Sequence, residues 1–176
     1  MVGMDGEMSD KHDFHESLAY SHMLSDLPLW EVVYRKAFHN FETMVDHRED
    51  GEHQRAGIDR SVILKNSKQI LIDEKGRKKA YPDIALEYLS SVERKTPGWA
   101  CKPLRADYIA YAIIPKGICY LLPVIQMQQA FDRHGKQWIS KYFEINAPNN
   151  GYTTRSVGVP VDILFSAMGN CLRIKF

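Results

Sequence analysis

The chain has 176 residues, 44% hydrophobic and 26% charged, enough to bury one core and unlike a disordered composition. Its formal net charge of +1 conceals a split: residues 1–54 hold 4 Lys/Arg against 12 Asp/Glu, and residues 55–176 hold 19 against 10, a division that hints at a charged tail or a nucleic-acid face. The apolar runs at residues 108–114 and 118–125 are far shorter than the roughly 20 residues of a membrane span, and the polar N-terminus lacks the apolar core of a secretory signal. Three widely spaced cysteines, Cys101, Cys119 and Cys171, form no CxxC pair, which argues against a disulfide scaffold or zinc ribbon and for a reducing, cytoplasmic setting.

Residues 1–26 read as a polar N-terminal segment, mobile or capping, ahead of a single domain over residues 27–176. His12 and His15 sit one helical turn apart, but with no cysteine or third spaced ligand they read as part of that segment rather than as a metal site. Asp26 as N-cap and Pro28 in the first turn open a helix. Trp30, Val33, Tyr34, Ala37, Phe38, Phe41, Met44 and Val45 carry its apolar stripe over four turns. Glu31 and Glu42 project at one edge of that stripe, where carboxylates can border a cleft; each alone reads as a solvated surface acid. Residues 46–56 are a charged connector.

The texture then changes to strands. Residues 58–64 and 69–75 are rich in β-branched side chains, with the turn residues Lys65-Asn66-Ser67-Lys68 between them. A turn centred on Asn66-Ser67 predicts a hairpin with Asp59 opposite Glu74 and with Asp73 and Lys75 beside it. Residues 76–82 form a basic loop with Arg77, Lys78 and Lys79. Residues 83–92 read equally as a short helix or as a strand beside residues 69–75; in the strand reading Glu87 lies within the sheet. Residues 96–99 are a turn, and Trp99 reads as an anchor packed back on the domain rather than as a base-stacking group. Residues 106–114 and 118–124 form a buried hairpin across Pro115-Lys116-Gly117. A helix follows over residues 124–134 and ends at Gly135, with a second helical stretch around Trp138. Residues 146–151 read as a loop, and the end as strand, short helix after Pro160, and strand over residues 171–175.

Asp59, Asp73 and Lys75 carry the chemistry. Two carboxylates within a few ångströms repel unless a cation lies between them, and oxygen ligands with open water positions suit Mg²⁺ or Mn²⁺. Asp73 and Lys75 share a strand face. A lysine there can orient a metal-bound water and stabilise charge on a phosphate.

Gly57-Ile58-Asp59, followed by Ile72-Asp73-Glu74-Lys75 after an amphipathic helix, resembles the PD-(D/E)xK nuclease superfamily over residues 28–124. The resemblance implies a restriction-endonuclease-like core in an α/β (α+β mixed) fold: a central mixed sheet with an antiparallel hairpin, flanked by helices. It implies a Mg²⁺- or Mn²⁺-dependent endo- or exonuclease of a small phage or bacterial type. DNA is the expected substrate and RNA a possible one, with no membrane partner; a homodimer would suit cleavage of two strands. Asp59 and Asp73 would hold metal, Lys75 would act on the water, and Glu74 would be an adjacent catalytic acid or spare ligand. Glu87, or the helix acid Glu31 and after it Glu42, would complete the site. Arg77, Lys78, Lys79, Arg94 and Lys95 would meet phosphates. Pro82-Asp83 with Glu93-Arg94-Lys95 also copies the motif literally, but Glu93 lacks a strand's apolar lead-in and runs into Pro97-Gly98, so it reads as a solvated loop. Two other readings remain: a non-catalytic nucleic-acid- or partner-binding protein of the same fold, and an interaction or inhibitor protein acting through the acidic residues 1–54.

Overall fold

The computed structural model describes Met23 and residues 28–169 and 171–176. The expectations for the polar segment, for His12 and His15 and for the Asp26 cap lie outside the described residues. Among the described residues the fold is mixed α+β, with ten strands in two sheets and four α-helices. No helix among them is long and apolar enough to cross a membrane.

Helix α1 (Leu29–Ala37) buries Leu29, Trp30, Val33 and Tyr34. It stops well short of the four turns its stripe predicts. Phe38 is extended, and the chain turns through His39 and Asn40 into β1 (Phe41–Asp46). Phe41 and Met44 still join the same apolar cluster as α1, which is why they mimic a helical stripe. The charged connector contains a short helix, α2 (Gly51–Arg55), capped by the Asp50 side chain. Strands β2 (Arg60–Leu64) and β3 (Gln69–Arg77) then form the expected hairpin.

The chain next leaves this sheet. Strand β4 (Asp83–Ser91) resolves the helix-or-strand ambiguity, but it pairs with a later strand rather than with β3. It is followed by the two-residue β5 (Thr96–Pro97). Strands β6 (Tyr108–Ile113) and β7 (Ile118–Pro123) form the second hairpin around a 3-10 turn ending at Gly117, whose φ of 58° suits glycine. Helix α3 (Val124–Lys141) runs through Gly135, where a helix end is expected. There a Cβ would stand 2.9 Å from the Phe131 ring, so the missing side chain serves packing rather than termination. Strand β8 (Glu144–Asn149) replaces the expected loop; as an edge strand it tolerates Pro148. Strand β9 (Tyr152–Pro160), helix α4 (Val161–Met168) and strand β10 (Leu172–Lys175) complete the chain.

The larger sheet has the order β1-β2-β3-β6-β7-β10 and the smaller one β5-β4-β9-β8. All pairings are antiparallel except β3 with β6. The two faces of the larger sheet bury different cores. Ile72, Ala110, Ala112, Cys119 and Leu121 pack with α1. Ile109, Tyr111, Ile113, Tyr120 and Leu122 pack with Ile84 and Leu86 of β4 and with α3 and α4. Helix α1 therefore covers one face, and the smaller sheet with α3 and α4 covers the other.

Candidate active site

The register of the β2–β3 hairpin decides which side chains meet. Arg60 pairs with Ile72, Ser61 with Leu71, Val62 with Ile70 and Ile63 with Gln69. One further step puts Asp59 across from Asp73, not Glu74 as the sequence suggests. The turn explains the difference. Leu64 N–H donates to the Lys68 carbonyl (2.9 Å) and Ser67 N–H to the Leu64 carbonyl (2.8 Å), with Ser67 in the left-handed region at φ 62°. The loop thus has an odd number of residues, 65–67, and a one-residue shift of register exchanges the faces of every cross-strand pair.

The shift sorts the acids. Asp73 and Lys75 face the inter-sheet core, beside Ile109 and Tyr111 of β6. Asp59 joins them: its carboxylate interacts directly with that of Asp73 and accepts the Glu74 N–H at 2.7 Å. The Lys75 ammonium donates to Asp73 Oδ1. Glu87 of β4 acts on the same ammonium electrostatically, and Lys102 acts in the same way on Glu87. Lys75 thus pairs with Asp73 on its own strand, with Asp59 from the bend before β2 beside them and Glu87 of β4 acting at longer range.

Burial is uneven in this cluster. The Asp73 side chain is 5% exposed, that of Lys75 34%. Burial pushes the Asp73 carboxyl up to about 7, with Lys75 pulling it down and Asp59 adding to the rise. Burial disfavours the Lys75 ammonium, yet Asp73, Asp59 and Glu87 outweigh that, and its pKa is raised. Burial also raises Glu87, against the pull of Lys75, Lys102 and the Trp99 N–H.

The Glu87 position is locked by its surroundings. Ala100 N–H donates to the Glu87 carbonyl (2.9 Å) and Gly98 N–H to that of Tyr88 (3.0 Å). A Cβ on Gly98 would stand 2.4 Å from the Glu87 carbonyl oxygen, so only glycine allows this approach. Gln128 of α3 donates to the Trp99 and Lys102 carbonyls (3.2 and 2.8 Å). Trp99 is buried in the inter-sheet core, as an anchor.

Glu74 is turned to the opposite face. Its Oε1 accepts from Tyr34 Oη (2.6 Å) and Arg60 Nε (2.7 Å), and its Oε2 from Arg60 Nη2 (3.3 Å). Burial raises Glu74 against the pull of Arg60 and Tyr34. Glu31 is also apart from the cluster: α1 lies on the Glu74 face, and Glu31 pairs with Arg35 (2.6 Å). Glu42 is exposed on β1, the edge strand.

Of the basic residues, Arg77 donates to the Asp83 carbonyl (3.0 Å) and carboxylate and lies over the Tyr81 ring, which ties down the loop between β3 and β4. Lys78 and Lys79 are exposed on that loop. Arg94 and Lys95 are exposed in the β4–β5 turn, beside Glu93, which accepts from Thr153 N–H (2.9 Å). Asp83 and Glu93 flank β4 at opposite ends, and a nine-residue strand spans about 27 Å at roughly 3.3 Å per step. The literal motif copy therefore cannot share a metal.

The connector holds a group that the sequence reading passed over. One donor atom each from His47, Asp50 and His53 lies within 4.8 Å of the others. The signal was the repeated three-residue spacing, His-x-x-Asp-x-x-His, hidden in a charge-rich run. The chain matches no protein-family model, no curated protein and no solved structure.

Proposed function

We propose that the chain is a Mg²⁺- or Mn²⁺-dependent nuclease with a restriction-endonuclease-like core, acting on DNA. The observation that carries this reading is the buried Asp73 paired with Lys75, with the Asp59 carboxylate beside it and Glu87 acting on the same ammonium, three acids against Lys75 and the more distant Lys102. Such an excess of carboxylate at a largely buried point is costly unless a cation offsets it. The donors are all oxygens, which suits a hard divalent cation. An acid ahead of β2 and an Asp-x-Lys on the antiparallel β3 support the resemblance to PD-(D/E)xK nucleases.

In this reading Asp59, Asp73 and Glu87 hold the metal. A bound Mg²⁺ supplies Lewis acidity toward a phosphoryl oxygen and an activated water. Lys75 keeps its proton under the pull of three acids, so it serves as a fixed positive donor that orients the water and stabilises phosphate charge rather than as a base. The backbone N–H of Glu74 orients Asp59, while the Glu74 side chain anchors the hairpin. Lys78 and Lys79 on the pinned loop and Lys102 beside Glu87 supply cations for the backbone of the substrate.

The test is nicking of supercoiled plasmid. The wild type is expected to nick it with Mg²⁺ or Mn²⁺ and not in EDTA, and Lys75→Ala is expected to fail with either ion. A purified, folded wild type that cuts neither DNA nor RNA with any divalent cation would refute the reading.

A further inference from the structure

Among the described residues, the group of three metal-ligating side chains whose donor atoms all lie within 4.8 Å of one another is in the turn from β1 through α2 to β2. The His47 and His53 rings are stacked 4.0 Å apart and nearly parallel, at 6°. His53 Nδ1 is 2.8 Å from Asp50 Oδ2. The other carboxylate oxygen, Oδ1, caps α2 by accepting from Glu52 N–H (2.9 Å), so Asp50 can cap and ligate at once. His47 Nε2 is 2.7 Å from the buried Ser61 hydroxyl, an outer partner of the kind that fixes the ring of a metal-bound histidine. A tetrahedral cation with bonds of about 2.1 Å needs donors roughly 3.4 Å apart. The three donors are all within 4.8 Å, and to meet on one ion the two imidazoles turn out of their stack so that both ring planes contain it.

We propose that His47, Asp50 and His53 form a second metal site, for a borderline cation of the zinc class, that clamps the loop carrying Asp59. Two imidazoles and one carboxylate suit Zn²⁺, Co²⁺ or Ni²⁺ far better than Mg²⁺. The clamp follows from the backbone. His47 N–H donates to the Asp59 carbonyl (2.9 Å), and Ile58 N–H donates to the His53 carbonyl (3.0 Å). The two histidines thus bracket Ile58-Asp59, and joining their rings through one ion fixes that segment against β3. This site is separate in chemistry from the acid cluster and stands whether or not the chain is a nuclease.

The test is calorimetric titration with Zn²⁺, and Co²⁺ absorbance, on the full chain, with hydrogen exchange read over residues 47–59. The wild type is expected to show one tight equivalent, and Asp73→Asn and a His12→Ala/His15→Ala variant are each expected to keep it, whatever weaker binding the acid cluster adds. His53→Gln, and Asp50→Ser, which keeps a capping oxygen, are expected to bind at least about ten-fold more weakly, since removing even an outer partner has that effect. Zn²⁺ is expected to slow exchange over residues 47–59 in the wild type and not in His53→Gln. No binding by the wild type, binding unchanged by both substitutions, or binding without slower exchange would overturn the proposal.

Discussion

Strand β3 buries charge on both of its faces, and the two faces treat it oppositely. Toward α1, Glu74 is matched by Arg60 at 2.7 Å and by Tyr34 at 2.6 Å. Toward the smaller sheet, Lys75 pairs with Asp73 while Asp59 and Glu87 act on it electrostatically, with Lys102 acting on Glu87. The first arrangement closes its own hydrogen bonds and fixes how α1, β2 and β3 sit together. The second holds three carboxylates against Lys75 and the outlying Lys102, which suits a place where a cation and a charged substrate are to enter. Adjacent residues, Asp73 and Glu74, belong to opposite roles because successive strand residues point to opposite faces.

Substitutions that sharpen this contrast fall in order of size. Glu74→Ala removes the carboxylate that the buried Arg60 and Tyr34 share, leaving Arg60 the Asp46 contact at 3.5 Å, and should cost on the order of 3–5 kcal/mol in urea unfolding. Pairing Glu74→Leu with Arg60→Met should recover much of that loss. Lys75→Ala should lower nicking at least about 100-fold, the usual loss for one aimed electrostatic donor, with the unfolding transition still cooperative. Gly98→Ala drives a methyl into the Glu87 backbone; overpacking predicts roughly 1–3 kcal/mol of destabilisation and a higher Mg²⁺ requirement in the nicking assay. Asp59→Asn keeps an acceptor for the Glu74 N–H and removes one like charge from Asp73. It should stabilise the metal-free chain by about 1 kcal/mol, the worth of one pKa unit, while losing cleavage.

The acid cluster should also make stability depend on pH. The Asp73 carboxyl is raised to about 7 in the folded chain from about 3.9 when unfolded. Its contribution to stability is therefore fully present below about 3.9 and is lost as pH rises through about 7. In EDTA, the melting temperature should fall from pH 5 to pH 8 in the wild type, and this component should vanish in Asp73→Asn. Mg²⁺ should restore more stability at pH 8 than at pH 5, because at low pH the proton competes for the carboxylate.

The parts of the fold that depend on local pattern were legible. Both hairpins of the larger sheet, the helix after β7 and the closing strand-helix-strand follow their apolar periodicity and their Gly and Pro punctuation. What failed was non-local. The stripe across α1 and β1 looked continuous because Phe41 and Met44 serve the same core as Trp30 and Tyr34. Glu87 reaches the acid cluster from a different sheet, through the pairing of β4 with β9, which no spacing around Asp73 reveals. The chemistry of Asp59, Asp73 and Lys75 is legible in their spacing, but the partner of Asp59 across the hairpin is Asp73 rather than Glu74. A serine in a left-handed turn is rare enough that an even loop was the natural reading. The odd loop it makes sends Glu74 to the structural face and brings Asp59 to Asp73.

The most direct test of the account is Asp73→Asn, followed in two assays on one preparation: unfolding in EDTA at pH 8 and plasmid nicking in Mg²⁺. The expected result is a protein at least as stable as the wild type that does not cut, because the substitution removes a buried charge and the proposed metal ligand together. A variant that cuts at the wild-type rate, or one that unfolds like Glu74→Ala, would contradict it.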